Sequence, residues 1–215
     1  MLKKYAVLSG VIIALILLYI ATLNYPGGSQ FDKNSRGFYL TKNYLSNLFD
    51  EKAVNGENNN ARVWAVAGIF FLSMSFATFF FRFSKKIPSA GAASAIIKYV
   101  GTGSMVLACF VVTSFHDQII TLSGAGALLC IFYITVFLFR SKLHFMKFLS
   151  IICLLAACTC NFIYYTQYHL ELLPVMQKVS LLIAITWILY LDLFTSAADF
   201  RLKKEFVTGN SKNIQ

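Results

Sequence analysis

Two histidines and a carboxylate are the residues of this chain best equipped for chemistry. His116, Asp117 and His169 stand at the ends of long apolar stretches. Imidazole nitrogens and a carboxylate oxygen make a zinc-binding set when three of them converge. A metal held there would acidify a bound water and give the chain a hydrolase's nucleophile. The spacing carries no fixed signature, and the same residues also read as solvated helix termini. Glu171 lies beside them, and a long loop adds Thr41, Asn43, Ser46, Asn47 and Asp50.

A second kind of chemistry would need charge inside an apolar stretch, and Lys98 and Asp192 supply it. Asp192 precedes Arg201 by nine residues, roughly 13 Å of helix. A carboxylate at such depth in lipid costs a few kcal/mol. It therefore pairs structurally, with Lys98 or with Thr or Tyr hydroxyls, or it marks a proton- or cation-coupled site, unless it simply stands near the interface. Asn161 and Thr159 are expected to hydrogen-bond between helices. His144, between Lys142 and Lys147, reads as a loop residue on the opposite side. The five cysteines all lie in apolar stretches without a CxxC pair, and are expected to pack as free thiols. A Walker loop, a dinucleotide glycine fingerprint, HExxH and GxSxG are all absent from the sequence. So are a clear internal repeat and a matched pair of Gly/Pro-broken helices, the pointer to a secondary transporter.

The elements that must position these residues are membrane-spanning helices. The chain is 58% hydrophobic and 13% charged, against about 25% charged in an ordinary soluble domain. Crossing lipid takes roughly 20 apolar residues as helix. Six stretches meet that need, at about 5–23, 63–81, 93–115, 119–139, 148–166 and 175–198. The expected fold is all-α: one polytopic membrane bundle of about six transmembrane helices over residues 1–215. The first stretch follows Lys3 and Lys4 but is long for a signal core, so it reads as an uncleaved helix. With the N-terminus inside, thirteen of the nineteen lysines and arginines fall on the inner side. The positive-inside rule then puts both termini in the cytoplasm and the loop Asn24–Asn60 outside. The net charge of +10 therefore speaks for a membrane surface and not for nucleic acid.

Four connections are short, so successive helices should pack antiparallel. Ser123, Gly124, Ala125, Gly126 and Ala127 form a smooth patch suited to close helix approach, and the tight turn expected at His116-Asp117-Gln118 places Gly124 and Gly126 near Ala108, Cys109 and Phe110. Loop 24–60 is the exception, and loops of that length are commonly functional. It opens on the turn Tyr25-Pro26-Gly27-Gly28. Further along, Leu40, Tyr44 and Leu48 share one helical stripe that Leu45 and Phe49 widen. That pattern predicts a short amphipathic helix on the outer interface or capping the bundle.

Several of these residues also carry a resemblance. Tyr25-Pro26-Gly27-Gly28, then Thr41-x-Asn43-Tyr44-Leu45-Ser46-x-Leu48, then Asn59 or Asn60 and an outer His116-Asp117 resemble a family of uncharacterised bacterial six-span membrane proteins, domain of unknown function nine-nine-eight. The resemblance implies the six-span topology and no established reaction. An acidic residue often follows the serine in that family; here the position is Asn47. A more distant likeness is to the ceramidase-like membrane hydrolases, whose metal site uses three histidines. This topology separates His144 from His116 and His169, so such a site would need a carboxylate instead.

Three functions follow as expectations for a cell-membrane, multi-pass protein. The first is a non-enzymatic protein whose loop 24–60 binds membrane lipid or a membrane protein partner, with no cofactor. The second is a metal-dependent hydrolase of outer-leaflet lipid, with zinc held by His116, Asp117 and His169. The third is a small proton-linked transporter using Asp192.

Overall fold

The computed structural model describes residues 4–87 and 92–200. Lys3, Arg201, Lys203, Lys204 and Lys212, counted above among the inner-side cations, lie outside these residues. Six helices are long and apolar enough to cross a membrane: α1 (Ala6–Leu23), α2 (Arg62–Phe83), α3 (Ala92–Val112), α4 (His116–Phe139), α5 (His144–Thr166) and α6 (Leu170–Phe194). No strand occurs among the described residues, only two isolated bridges, Gly27 with Arg36 and Lys52 with Asn58. The chain is thus an all-helical membrane protein, as its apolar stretches require.

Helices α2 to α6 pack in chain order, α6 returns against α2, and α1 lies along α2 and touches α6. Small residues set the close approaches. Gly10 of α1 abuts Ser75 of α2, Gly101 of α3 lies under the Phe80 ring, and Gly126 of α4 lies against Ser104 and Val100 of α3. Only part of the smooth patch is used this way, since Gly124 has no neighbour within 4 Å. The contact also falls lower on α3 than the tight turn predicts. The reason is the place of the connection: it lies at Thr113–Phe115, and His116, Asp117 and Gln118, expected as the turn, already begin α4.

Sequence signals explain the helix ends. Pro174 stands in the first turn of the regular part of α6, where its missing N–H is no loss. Gln167 and His169 take left-handed backbone between α5 and α6 (φ 57° and 54°), a helix stop. Within α3, residues Ile97–Gly101 form a π-helical turn. Lys98 sits on it and reaches outward over the Tyr99 and Phe81 rings, 4.8 and 5.6 Å from their centroids.

Two cores result. The larger is aromatic and lies at the end holding residues 4 and 200. It contains Phe79, Phe80, Phe83, Ile134, Leu138, Trp187 and Leu191, all buried. The smaller, at the loop end, joins Ala21, Tyr25, Leu48, Phe49, Ala61, Ala65, Val111 and Ile119. Cys130 and Cys153 are buried free thiols, but Cys158 is exposed. Asn161 bonds the Ala157 carbonyl of its own helix at 2.8 Å, not a neighbouring helix.

Candidate functional site

The loop between α1 and α2 is a folded cap held by side-chain amides. Gly27 and Gly28 have positive φ, 149° and 84°. Side chains there would collide with the backbone of Ser35 and Asn55, so only glycine fits the close strand-like pairing. The Tyr25 hydroxyl donates to the Gly28 carbonyl at 3.3 Å and accepts from Val54 N–H at 3.1 Å. Burial pushes that phenol above its ordinary value. Asn43 is fully buried. Its Nδ2 donates to the Gly28 carbonyl at 2.7 Å while its Oδ1 accepts from Tyr39 N–H at 2.9 Å. Asn47 Oδ1 caps Tyr44 N–H at 2.8 Å. Asn59 Nδ2 donates to the carbonyls of Asn47, Leu48 and Asp50 at 3.1, 3.3 and 2.9 Å.

The amphipathic helix predicted around Leu40–Phe49 is therefore replaced. Only a 3₁₀ turn, Leu45–Leu48, forms. Leu48 and Phe49 are buried, but Leu40 is exposed. The physical cause is competition: Asn43, Asn47 and Asn59 satisfy backbone groups that a helix would have paired.

The cap docks on α6 through Lys178, whose ammonium donates to the Asn43 and Pro174 carbonyls at 2.7 and 2.8 Å. Beneath the cap, residues of all six helices line a cavity of about 710 Å³. Its upper wall carries Tyr44, Ser46, His116, Tyr164 and Gln177; its lower wall is aliphatic, with Leu18, Ile120 and Leu181. A second, smaller cavity of about 230 Å³ shares the lining residues Ile69, Leu72 and Leu181 and reaches Trp187 and Ile188. From Gln177 to Ile188 is 11 residues of α6, roughly 16 Å of helix. That is about half of a ~30 Å hydrocarbon core.

The singled-out histidines meet different partners. His116 Nδ1 lies 3.1 Å from Asp117 Oδ1, which also accepts from the Tyr164 hydroxyl at 3.0 Å. With Nδ1 protonated and donating to Asp117, Nε2 is left as an acceptor; it is buried without a hydrogen-bond partner. His169 instead pairs with Glu171 at 3.0 Å, exposed to solvent. His116 and His169 are not brought into one ligand set. Among the described residues, no group of three or more His, Cys, Asp or Glu side chains is gathered as a metal ion requires. Desolvation raises the Asp50 carboxyl, and its neighbours His116 and Arg62 oppose the rise. Thr41 is on the surface, and His144 begins α5 at the opposite end.

The buried charge belongs to the other end. α6 stops at Phe194 and Thr195 is extended, so Asp192 lies about 3 Å from the helix end. Its carboxylate, 1% exposed, is 3.2 Å from Arg82 Nη1. Lys98 is not its partner. Lys86 caps the helix instead, donating to the Leu191 and Asp192 carbonyls at 2.8 and 2.9 Å and to Thr195 Oγ1 at 3.3 Å. A cation on the terminal carbonyls complements the helix dipole. Burial holds the Lys86 amine below its usual value, and Asp192 draws it back upward. Arg82, Lys86 and Lys178 are the functional cations that sequence reasoning did not single out. Lys178 had a signal, a lysine inside an apolar stretch; Arg82 and Lys86 had none beyond their place at an inner helix end.

No protein-family model matches the chain, and no curated protein or solved structure is significantly similar to it. The functional argument therefore stands on the cap and the cavity.

Proposed function

We propose that the protein is a membrane lipid-binding protein whose ligand sits in the cavity beneath the external cap. One observation carries the reading: beneath the cap the cavity sets Tyr44, Ser46, His116, Tyr164 and Gln177 among apolar residues, and it and its smaller neighbour together line roughly 16 Å of α6, about one leaflet. Ligand sites are commonly hollows of 300–1,000 Å³ with a few convergent polar groups on an apolar lining. An amphiphile matches that arrangement, its headgroup under the cap and its chain pointing toward Trp187. The positive-inside reading of the sequence puts the cap outside the cell membrane, so the ligand would come from the outer leaflet.

The cap is suited to hold a site. Asn43, Asn47, Asn59 and Lys178 spend their polar atoms on backbone carbonyls and amides, which fixes the cap while leaving the cavity wall to Tyr44, Ser46 and His116. The proton-linked reading loses its motive, because Asp192 lies at a helix end in a structural ion pair. The hydrolase reading is left with His116 and Asp117 paired to each other, and nothing in the geometry favours it.

Native mass spectrometry of the detergent-solubilised protein tests the proposal. The expected result is a co-purifying amphiphile on the wild type that is lost in Ile120→Trp, which fills the cavity. Equal lipid adducts on both proteins, with similar melting temperatures, would overturn it.

A further inference from the structure

The polar end of the cavity is unusual in being free of charge. Among its described lining residues there is no Lys, Arg, Asp or Glu. The nearest cation by chain position, Lys178, has its ammonium engaged by two carbonyls. The carboxylate beside His116, Asp117, is engaged by His116 and Tyr164. A phosphate or carboxylate headgroup would thus be desolvated with no cation to meet it, and an ammonium with no carboxylate. Either burial is costly unless the charge is paired.

The buried unpartnered atoms differ along the two cavities: acceptors lie at the cap end, and the donor Trp187 Nε1 lines the smaller cavity. His116 Nε2 and Gln177 Oε1 both belong to lining residues, both are buried, and both lack a partner. In the neutral ring with Nδ1 donating to Asp117, His116 Nε2 is an acceptor. Gln177 Oε1 is an acceptor by its chemistry. Buried polar atoms are nearly always satisfied, so this end of the cavity asks for a ligand that donates. Ser46 and Tyr44, at the same end, can donate or accept in return. The smaller cavity of about 230 Å³ lies between Phe76, Met105 and Trp187, room suited to one chain.

We infer that the ligand is an uncharged, single-chain amphiphile whose headgroup carries hydroxyls, of the class of a monoacylglycerol or long-chain diol. Its hydroxyls donate to His116 Nε2 and Gln177 Oε1, and its chain passes Leu181 toward Trp187. The inference rests on the lipid-binding reading and narrows it.

The test is a competition on the full chain in detergent, followed by native mass spectrometry, with four probes sharing one 18-carbon monounsaturated chain. The probes are monooleoylglycerol, oleate, oleoyl lysophosphatidylglycerol and oleylamine. The expected result is that monooleoylglycerol binds about tenfold or more tightly than each charged probe. His116→Phe and Gln177→Leu should each weaken it about five- to tenfold, the loss of one net hydrogen bond, and His116→Gln, which keeps an acceptor, should restore most of it. A charged probe binding as well as monooleoylglycerol would overturn the headgroup assignment and leave lipid binding standing. So would undiminished monooleoylglycerol affinity in both variants. If no probe binds the wild type better than it binds Ile120→Trp, the lipid-binding reading itself falls.

Discussion

At the end of the bundle that holds residues 4 and 200, Phe79, Phe80, Phe83 and Trp187 interlock with ring centroids 5.2–6.0 Å apart. Arg82, Lys86 and Asp192 tie α2 to the end of α6 beside them. At the capped end the same α2 and α6 stand around a hollow of about 710 Å³, and the polar stitching lies above it, in the loop. One end is filled by side chains; the other is roofed and left open inside. Lipid gives helices little hydrophobic reason to associate, so stability comes from close packing and interhelical bonds. The filled end therefore supplies most of the stability, and the capped end can hold a cavity at modest expense.

Substitutions that break or sharpen this contrast can be ranked. Arg82→Leu strips the buried Asp192 carboxylate of its guanidinium and should cost about 3 kcal/mol. Phe79→Ala in the aromatic core should cost a similar ~3 kcal/mol. Both appear as lowered melting temperatures in detergent. Ile120→Ala, at the cavity wall, should cost less than about 1 kcal/mol, since one of its faces already meets empty space. A penalty for Ile120→Ala matching that for Phe79→Ala would erase the distinction between the two ends.

A smaller pair reverses the sign of the size change. Ala77→Leu in the filled core should destabilise by about 1–3 kcal/mol through overpacking. Ala184→Leu, which faces the smaller cavity, should be neutral or slightly stabilising. Within the cap, Asn59→Ala removes the donor shared by three carbonyls and should cost about 1–2 kcal/mol. It should show first as faster proteolysis of the loop, ahead of any change at the filled end. The smallest effect belongs to Glu51→Gln. The Glu51–Arg62 pair is 2.8 Å long but solvent-exposed, and its loss should change stability by less than about 1 kcal/mol.

The six spans were legible in the sequence because a stretch of about 20 apolar residues has few other fates. The cap was legible only as a loop worth attention. Leu40, Tyr44 and Leu48 have helical spacing, but the asparagines between and after them bond backbone groups, and that local chemistry won. Gly27-Gly28 was read as a turn, but Gly27 pairs strand-like with Arg36, and the need for glycine comes from Ser35 and Asn55 pressing close, which spacing does not reveal. Asp192 was placed nine residues before Arg201 on a continuous helix, but the helix ends at Phe194. Its partner Arg82 is 110 residues away, a separation no local pattern bridges. His116 was chosen for its carboxylate neighbour, and that contact forms. The free Nε2 above a cavity depends on how the helices fail to meet, which is a tertiary property.

Trp187 offers the most direct measurement of the central claim, that a chain enters the bundle from under the cap. It is fully buried and borders the smaller cavity, whereas Trp64, the other tryptophan, is exposed. In a Trp64→Phe background, titration with a monoacylglycerol brominated near the end of its chain should quench Trp187 fluorescence to saturation. Leu181→Phe, which plugs the junction of the two cavities, should abolish the quenching. Unquenched Trp187 in the open protein, or identical quenching when the junction is plugged, would contradict the account.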